Sequence, residues 1–262
     1  MYYIGNSIIK NGKLESLSEQ EPIGLDNEIY ELIRVENGMP IFIADHLERL
    51  RNTMTNAGLD TQSIATLPQL IDWLIICNQQ NNCNIRITVN KQKTMQVGFV
   101  PSEYPTKQMY DNGVKTSILD AMREHPKLKI YHAQMRLEAQ EQQKREKTYE
   151  SILVDTEGYI TEGSRSNIFF IKGDRRYTAP DRMVLGGIIR KKVIEICNNQ
   201  NIQLLEVPVN IDEIEEFDKA FLTSTPTRIL PINSIGDVTY QKDNMLLKHI
   251  MNEMDNLTQK QK

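Results

Sequence analysis

Short apolar segments that end at turn residues alternate with longer segments of helical periodicity, and this alternation limits the folds open to the chain. Apolar segments at 29–35 and 40–43 flank an Asn-Gly turn, a pattern typical of two strands joined in a hairpin. From Asp45 onward apolar residues recur at helical spacing, and a second helix is predicted over 67–79. The first half of the chain is therefore predicted to be a sheet with two helices.

The second half combines strands with further helices. A helix rich in Gln, Glu and Arg is predicted over 133–147. Short strands separated by turns follow between 151 and 178, which predicts an antiparallel meander. The glycine pair at 186–187 opens another helix, and the last helix is predicted over 245–254.

The length of 262 residues corresponds to one large domain or two compact ones. A stretch without clear periodicity separates the two patterns. We therefore predict an N-terminal α/β domain over 1–117, an interdomain linker over 118–126 and a C-terminal domain over 127–262. The predicted fold class is mixed α/β (α+β).

The composition argues against several classes of partner. The net charge at pH 7 is −4 and no segment is densely basic, so nucleic acid is not an expected partner. The three cysteines lack the spacing and the neighbouring histidines of a zinc site, so no metal is expected. The first residues lack the basic start and apolar run of a signal peptide, and no later segment approaches about 18 consecutive apolar residues. We therefore expect a cytoplasmic protein that does not associate with a membrane.

Two charged residues lie where a strand could place them in a site. Lys129 is flanked by Leu128 and Ile130 in a short extended segment, so it could point inward, where burial would lower its pKa and supply a neutral nucleophile. Glu162 lies at a predicted strand end among small residues that let a ligand approach closely. Taken alone, a solvated lysine at a strand edge and a surface glutamate in a turn are the simpler interpretations.

Two segments offer groups that could bind an anion. The glycine pair at 186–187 precedes a predicted helix, whose first amide groups attract negative charge. The segment 223–227 follows a predicted strand and contains hydroxyl donors. A turn before a helix and an ordinary polar loop are the alternative interpretations.

These features occur in one order along the chain. The motifs are Tyr30-Glu31-Leu32-Ile33-Arg34, His46-Leu47-Glu48-Arg49-Leu50, Leu128-Lys129, Tyr149-Glu150, Thr161-Glu162-Gly163-Ser164 with Asn167, Leu185-Gly186-Gly187-Ile188-Ile189-Arg190, and Thr223-Ser224-Thr225 with Leu230-Pro231. Together they resemble the class IV (fold type IV) aminotransferases, a pyridoxal-phosphate family that includes branched-chain aminotransferases, D-amino-acid aminotransferases and 4-amino-4-deoxychorismate lyases. The resemblance covers nearly the whole chain. It implies an N-terminal mixed α/β domain, a C-terminal β-barrel-like domain with helices, and a homodimer.

The resemblance also implies a role for each matched residue. Lys129 would form the Schiff base with pyridoxal 5'-phosphate and then move the substrate's proton, and Glu162 would pair with the pyridine nitrogen. Leu185 would pack against the ring, and Tyr30 would line the substrate pocket. The phosphate would be held by Arg49, the Ile188 and Ile189 backbone amides, Ser224 and Thr225.

Several positions depart from the patterns of the family. His132 replaces an asparagine of many lyases and D-amino-acid enzymes, Gln134 replaces a tyrosine of branched-chain enzymes, and Ile189 replaces a threonine of the phosphate motif. Arg86 lies near the position of a pocket arginine of branched-chain enzymes, but strand alternation could equally direct it to solvent. Arg228 replaces an acidic residue, and it could bind a substrate carboxylate or form a surface salt bridge.

The resemblance implies an enzyme acting on small molecules and leaves three functions open. The leading hypothesis is an aminotransferase that moves an amino group from an amino acid, with a branched-chain-like donor, to a 2-keto acid. The second is a 4-amino-4-deoxychorismate lyase, which releases pyruvate and 4-aminobenzoate. The third is a catalytically idle relative that binds pyridoxal phosphate or nothing; the joint presence of Lys129, Glu162 and Arg49 argues against it.

Overall fold

The computed structural model describes residues 1–17, 22–241 and 243–261, which form two compact units. The first unit contains Met1–Glu103 and Leu128–Ala133, and the second contains Tyr104–Lys127 and Gln134–Lys260. This division differs from the predicted domains, because residues 104–117 fold with the second unit and the segment that carries Lys129 returns to the first. None of the helices in the described ranges has the length and hydropathy of a membrane span.

The first unit contains a six-stranded sheet and two helices. The strands are β1 (Ile4–Lys10), β2 (Lys13–Ser16), β3 (Ile29–Glu36), β4 (Met39–Pro40), β5 (Cys83–Val89) and β6 (Met95–Val100), and the helices are α1 (Ile43–Asn56) and α2 (Leu67–Asn78). The strands lie in the order β2-β1-β6-β5-β3-β4, and neighbouring strands are antiparallel. The predicted sheet with two helices is confirmed.

The core of the first unit joins α1 and α2 to one face of this sheet. Leu50 of α1 and Ile33 of β3 are both fully buried in this core, and burial of such a side chain contributes about 1.5–3 kcal/mol. Because successive side chains of a strand point to opposite faces, Glu31 lies on the same face as Ile33, whereas Tyr30 and Leu32 lie on the other. β3 therefore presents the carboxylate of Glu31 on one face and the aromatic ring of Tyr30 on the other.

The second unit contains a ten-stranded sheet and four helices. The strands are β7 (Val114–Asp120), β8 (Glu150–Val154), β9 (Tyr159–Gly163), β10 (Asn167–Lys172), β11 (Arg175–Thr178), β12 (Leu204–Glu206), β13 (Val209–Asn210), β14 (Lys219–Ser224), β15 (Arg228–Ile235) and β16 (Val238–Thr239). The helices are α3 (Lys107–Asn112), α4 (Ala133–Glu146), α5 (Ile188–Asn199) and α6 (Met245–Gln259). The strand order is β12-β11-β10-β14-β15-β7-β8-β9-β13, with β16 paired to β15.

The predicted meander is two separate hairpins. β8 pairs with β9 and β10 pairs with β11, both antiparallel, but β9 and β10 are not neighbours in the sheet. The prediction of one continuous meander is therefore wrong at the turn 163–166. Gly163 and Ser166 exchange backbone hydrogen bonds at 2.7 and 3.4 Å across this turn, but β9 and β10 then pair with other strands. The Ser164 and Ser166 hydroxyl groups bind a buried carboxylate of β8, Glu150. β7 was not predicted either, and it extends to Asp120, into the stretch expected to be a linker.

Candidate active site

Lys129 lies in a segment of the first unit that pairs with the start of β3. The Tyr30 backbone N–H donates to the Lys129 carbonyl oxygen at 3.0 Å, and Ile29 and Ile130 form an antiparallel bridge. The Lys129 Nζ atom lies 4.7 Å from the centre of the Tyr30 ring, a distance typical of a cation–π contact. Lys129 is therefore half-buried against an aromatic side chain of the sheet and is not a fully solvated residue at a strand edge.

Arg86 joins the same cluster from β5. Its side chain is buried, so of the two directions open to it from the sequence it points inward. Its Cζ atom lies 4.4 Å from the centre of the Tyr30 ring and 5.2 Å from the centre of the Tyr131 ring. The register of β3 and β5 pairs Tyr30 with Thr88, which makes Arg86 a diagonal cross-strand neighbour of Tyr30 on the same face. The first unit thus brings together Lys129, Tyr30 and Arg86.

Arg49 is bound to a buried carboxylate, Glu31, on the opposite face of β3. The Arg49 Nε atom donates to Glu31 Oε2 at 2.9 Å, and Nη2 donates to Oε1 at 2.5 Å. His46, one turn earlier on α1, places Nδ1 2.9 Å from Glu31 Oε1. These three side chains are the Glu31 cluster, and they fix the direction of the Arg49 guanidinium.

Opposing effects set the protonation of the Glu31 cluster. Burial alone would raise the pKa of Glu31, but the charge of Arg49 and the hydrogen bonds from Arg49 and His46 hold it well below its ordinary value. Burial also lowers the pKa of His46, against the attraction of Glu31. His46 is therefore neutral near pH 7, and we assign its Nδ1–H as a donor to Glu31.

In the second unit, Glu162 is the last residue but one of β9, and its side chain is almost fully buried. The Arg123 Nε atom donates to Glu162 Oε1 at 2.6 Å. Glu162 Oε2 accepts from Asn167 Nδ2 at 3.2 Å and from the Leu185 backbone N–H at 3.3 Å. A carboxylate has about four acceptor positions. These bonds within the described residues occupy three of them, so the Glu162 carboxylate can accept one further N–H donor.

The turn that follows Glu162 is held by a second buried carboxylate, Glu150 of β8. Ser164 Oγ donates to Glu150 Oε1 at 2.6 Å, and Ser166 Oγ donates to Oε2 at 3.0 Å. A Cβ atom at Gly163 would lie 2.2 Å from Ser166 Oγ, so any other residue there would displace this hydroxyl from Glu150. Glu150 therefore fixes the backbone of the turn that directly follows Glu162.

The start of α5 meets the same cluster. Gly187 is the N-cap residue, no side chain caps the helix there, and its first turn has no acidic residue. A Cβ atom at Gly187 would lie 2.1 Å from Asn167 Oδ1, so the helix start can approach Asn167 only with glycine at this position. The backbone amides of Ile188 and Ile189, which have no intrahelical partner at a helix start, form a place for an anion.

The segment after β14 lies at the same end of the sheet. Thr223 is paired with Asn167 of β10, and Ser224 Oγ lies 2.8 Å from Thr227 Oγ1. Arg228, which follows this turn, donates from Nη1 to Asp255 Oδ1 of α6 at 2.9 Å. That ion pair is the salt bridge considered from the sequence, and a role for Arg228 in substrate binding stays a prediction.

Comparison with known proteins identifies the family. Residues 28–235 match the family described as amino-transferase class IV. The chain belongs to this family.

Individual class IV relatives extend over most of the chain. It is 28% identical over 258 residues to a D-alanine aminotransferase of Bacillus licheniformis, with 88% of this chain and 89% of that protein covered. It is 25% identical over 230 residues to an aminodeoxychorismate lyase of Bacillus subtilis (strain 168), with 81% and 78% covered. The crystal structure of an Escherichia coli branched-chain amino acid aminotransferase matches 97% of this chain and 95% of that chain with a TM-score of 0.85 at 20% identity, which supports the shared fold.

The class IV assignment confirms the predicted fold class, a mixed α/β N-terminal part and a β-barrel-like C-terminal part with helices. It also confirms the prediction of an enzyme that depends on pyridoxal phosphate. The residues present fit this cofactor. The amides at the start of α5 and the hydroxyl groups after β14 suit a phosphate dianion. The open acceptor position on Glu162 suits a protonated ring nitrogen.

Gln134, Ile189 and His132, which depart from the family pattern, differ in their exposure. Gln134 is exposed on α4 and donates to Glu138 at 2.7 Å. Ile189 is buried in the first turn of α5 and keeps its backbone amide. His132 is half-buried in the segment that carries Lys129.

Glu31 and Arg123 are among the side chains of these clusters that were absent from the predicted site. Glu31 could have been found, because strand alternation places it on the same face of β3 as the apolar residues Ile29, Ile33 and Val35, and a carboxylate buried there requires a cationic or hydrogen-bonding partner. Arg123 had no such signal, because it lies in the aperiodic stretch expected to be a linker.

Proposed function

We propose that this class IV enzyme is an aminotransferase that moves an amino group from an amino acid to a 2-keto acid. The supporting observation is the cluster of Lys129, Tyr30 and Arg86, in which an amine and a buried guanidinium contact the same aromatic ring. Amino acids and 2-keto acids both carry a carboxylate beside the reacting carbon, and a guanidinium matches a carboxylate with paired donors. Arg86 would hold that carboxylate.

Each of the remaining residues has a distinct task in this proposal. When bound, pyridoxal phosphate supplies an electron-accepting ring for the charge left after the α-proton is removed. Lys129 Nζ would hold the cofactor covalently and would move the substrate's proton. Glu162 would accept the N–H of the ring nitrogen, and Leu185 would pack against the ring. The phosphate would be bound by Arg49, the Ile188 and Ile189 amides, Ser224 and Thr225.

The substrate side favours a branched-chain-like donor. The rings of Tyr30 and Tyr131 meet edge to face at 5.9 Å and offer apolar surface for an aliphatic side chain. Arg228 is proposed to attract a second carboxylate when its bond to Asp255 opens. The family resemblance further supports a homodimer, which light scattering would test. Cell fractionation would test the cytoplasmic location expected from the sequence.

The full chain with pyridoxal phosphate should show a visible absorption band from the covalent link to Lys129. We expect an aliphatic amino acid, from a panel of L and D forms, to remove this band and 2-oxoglutarate to restore it. Consumption of 4-amino-4-deoxychorismate with pyruvate release, without any keto acid, would replace the proposal with the lyase. A protein that never forms the band would be a catalytically idle relative.

The role of Arg49 predicts a selective effect on cofactor affinity. Arg49→Gln should raise the dissociation constant for pyridoxal phosphate about 30-fold, since a hydrogen bond to a charged group is worth about 1.5–3 kcal/mol. The affinity for pyridoxal, which has no phosphate, should change little. Arg51→Gln, on the exposed side of the same helix, is the control. Equal losses for both ligands would assign Arg49 a structural role only.

A further inference from the structure

Arg123, in the segment between β7 and α4, is a charged residue whose side chain lies in the interior of the second unit. The Ala121 backbone N–H donates to the Val154 carbonyl oxygen at 3.1 Å, which anchors the chain as it leaves the sheet. Two residues later, the Arg123 side chain is 6% exposed. Its Nε atom donates to Glu162 Oε1 and its Nη2 atom donates to the Ser164 carbonyl oxygen at 3.3 Å.

These bonds hold both the Glu162 carboxylate and the turn that follows Glu162. Nε binds one oxygen of Glu162, while Asn167 and Leu185 bind the other. A carboxylate with both oxygens held can rotate little about its side-chain torsion. The direction of its remaining acceptor position is therefore set by Arg123 on one side and by two neutral donors on the other.

We propose that Arg123 is a positioning residue, which holds the Glu162 carboxylate in the orientation that accepts the N–H of the cofactor's ring nitrogen. This inference rests on the proposed role of Glu162. Arg123 acts through Glu162 and makes no contact of its own with the cofactor in this proposal. A neutral side chain at position 123 would leave Glu162 buried with only its two neutral donors, free to turn toward other partners.

The test compares two cofactors that differ at one ring atom. We expect Arg123→Met to raise the dissociation constant for pyridoxal phosphate about tenfold. For deazapyridoxal phosphate, in which C–H replaces the ring nitrogen, the dissociation constant should change less than about twofold, because Glu162 has no N–H to accept there. Arg165→Met, an exposed arginine beside the same turn, should leave both constants unchanged.

Two further variants keep the test decisive if Arg123→Met does not fold. Arg123→Lys retains the positive charge but loses the second hydrogen bond, to the Ser164 carbonyl oxygen. This variant should recover most of the preference for pyridoxal phosphate over the deaza analogue. In a Glu162→Gln background, Arg123→Met should have no additional effect on pyridoxal phosphate affinity. Equal losses for the two cofactors in the Arg123 variants, or additive losses in the double variant, would overturn the proposal.

Failure of the underlying assignment would look different. If Glu162→Gln itself does not reduce the preference for pyridoxal phosphate over the deaza analogue, Glu162 does not contact the ring nitrogen and the proposed cofactor placement is wrong. If Glu162→Gln reduces it and the Arg123 variants do not, only the role of Arg123 is wrong.

Discussion

Lys129→Ala is expected to lower turnover by at least about 10⁴-fold, because it removes both the amine that binds the cofactor covalently and the group that moves the substrate's proton. The visible band of the covalent link should disappear, while noncovalent binding of pyridoxal phosphate through its phosphate persists. Turnover with the amino donor found in the substrate panel and absorption spectra of the same samples measure both effects.

The control for Lys129 is the lysine two residues before it. Lys127 is 48% exposed and forms an ion pair with Asp181, so Lys127→Ala should keep the band and the activity. Borohydride reduction of the wild-type holoenzyme followed by peptide mapping should place the cofactor label on Lys129. A label on another lysine, or an active Lys129→Ala variant, would refute the assignment.

Glu31→Gln is expected to lower the free energy of unfolding by about 3 kcal/mol, because removal of one partner leaves the other charge of a buried pair uncompensated. Arg49 would keep its position inside the first unit but lose an ionic partner that contacts two of its nitrogens. Urea unfolding of the apoenzyme, followed by circular dichroism, measures this change. The matched control is Glu48→Gln, an exposed residue of the same helix, with an expected effect within about 0.5 kcal/mol. Equal stabilities of the two variants would contradict the role of the Glu31 cluster.

The same cluster predicts a loss of stability in acid. The folded-state pKa of Glu31 lies below its unfolded value, so its contribution is complete above about pH 4.3 and is lost as the pH falls toward the folded-state value. His46 also has a lowered pKa, so the unfolded chain binds its proton first and stability falls below about pH 6.5. Urea unfolding across this range should therefore give a shallower acid dependence for Glu31→Gln than for the wild type. Identical acid dependences would contradict the lowered pKa of Glu31.

Several features of this protein could be predicted because they depend on residues close in the chain. The helical spacing that begins near Asp45 predicts α1, and the Asn-Gly turn predicts the hairpin of β3 and β4. The glycine pair at 186–187 predicts the start of α5. The order of short motifs was enough to predict the family and the cofactor. Periodicity and turn chemistry can be read within short windows of sequence, and each motif is short even though their order extends along the chain.

Other features were decided by contacts between distant segments. Arg123 and Glu162 are 39 residues apart, and their pairing depends on how the chain leaves β7. The return of Lys129 to β3, the inward direction of Arg86 and the separation of β9 from β10 also depend on the assembled sheets. The physical reason is common to all four. A local pattern indicates which side chains can be buried. Buried polar and charged groups need hydrogen-bonding partners, and which partner each one contacts depends on how the whole sheet is assembled.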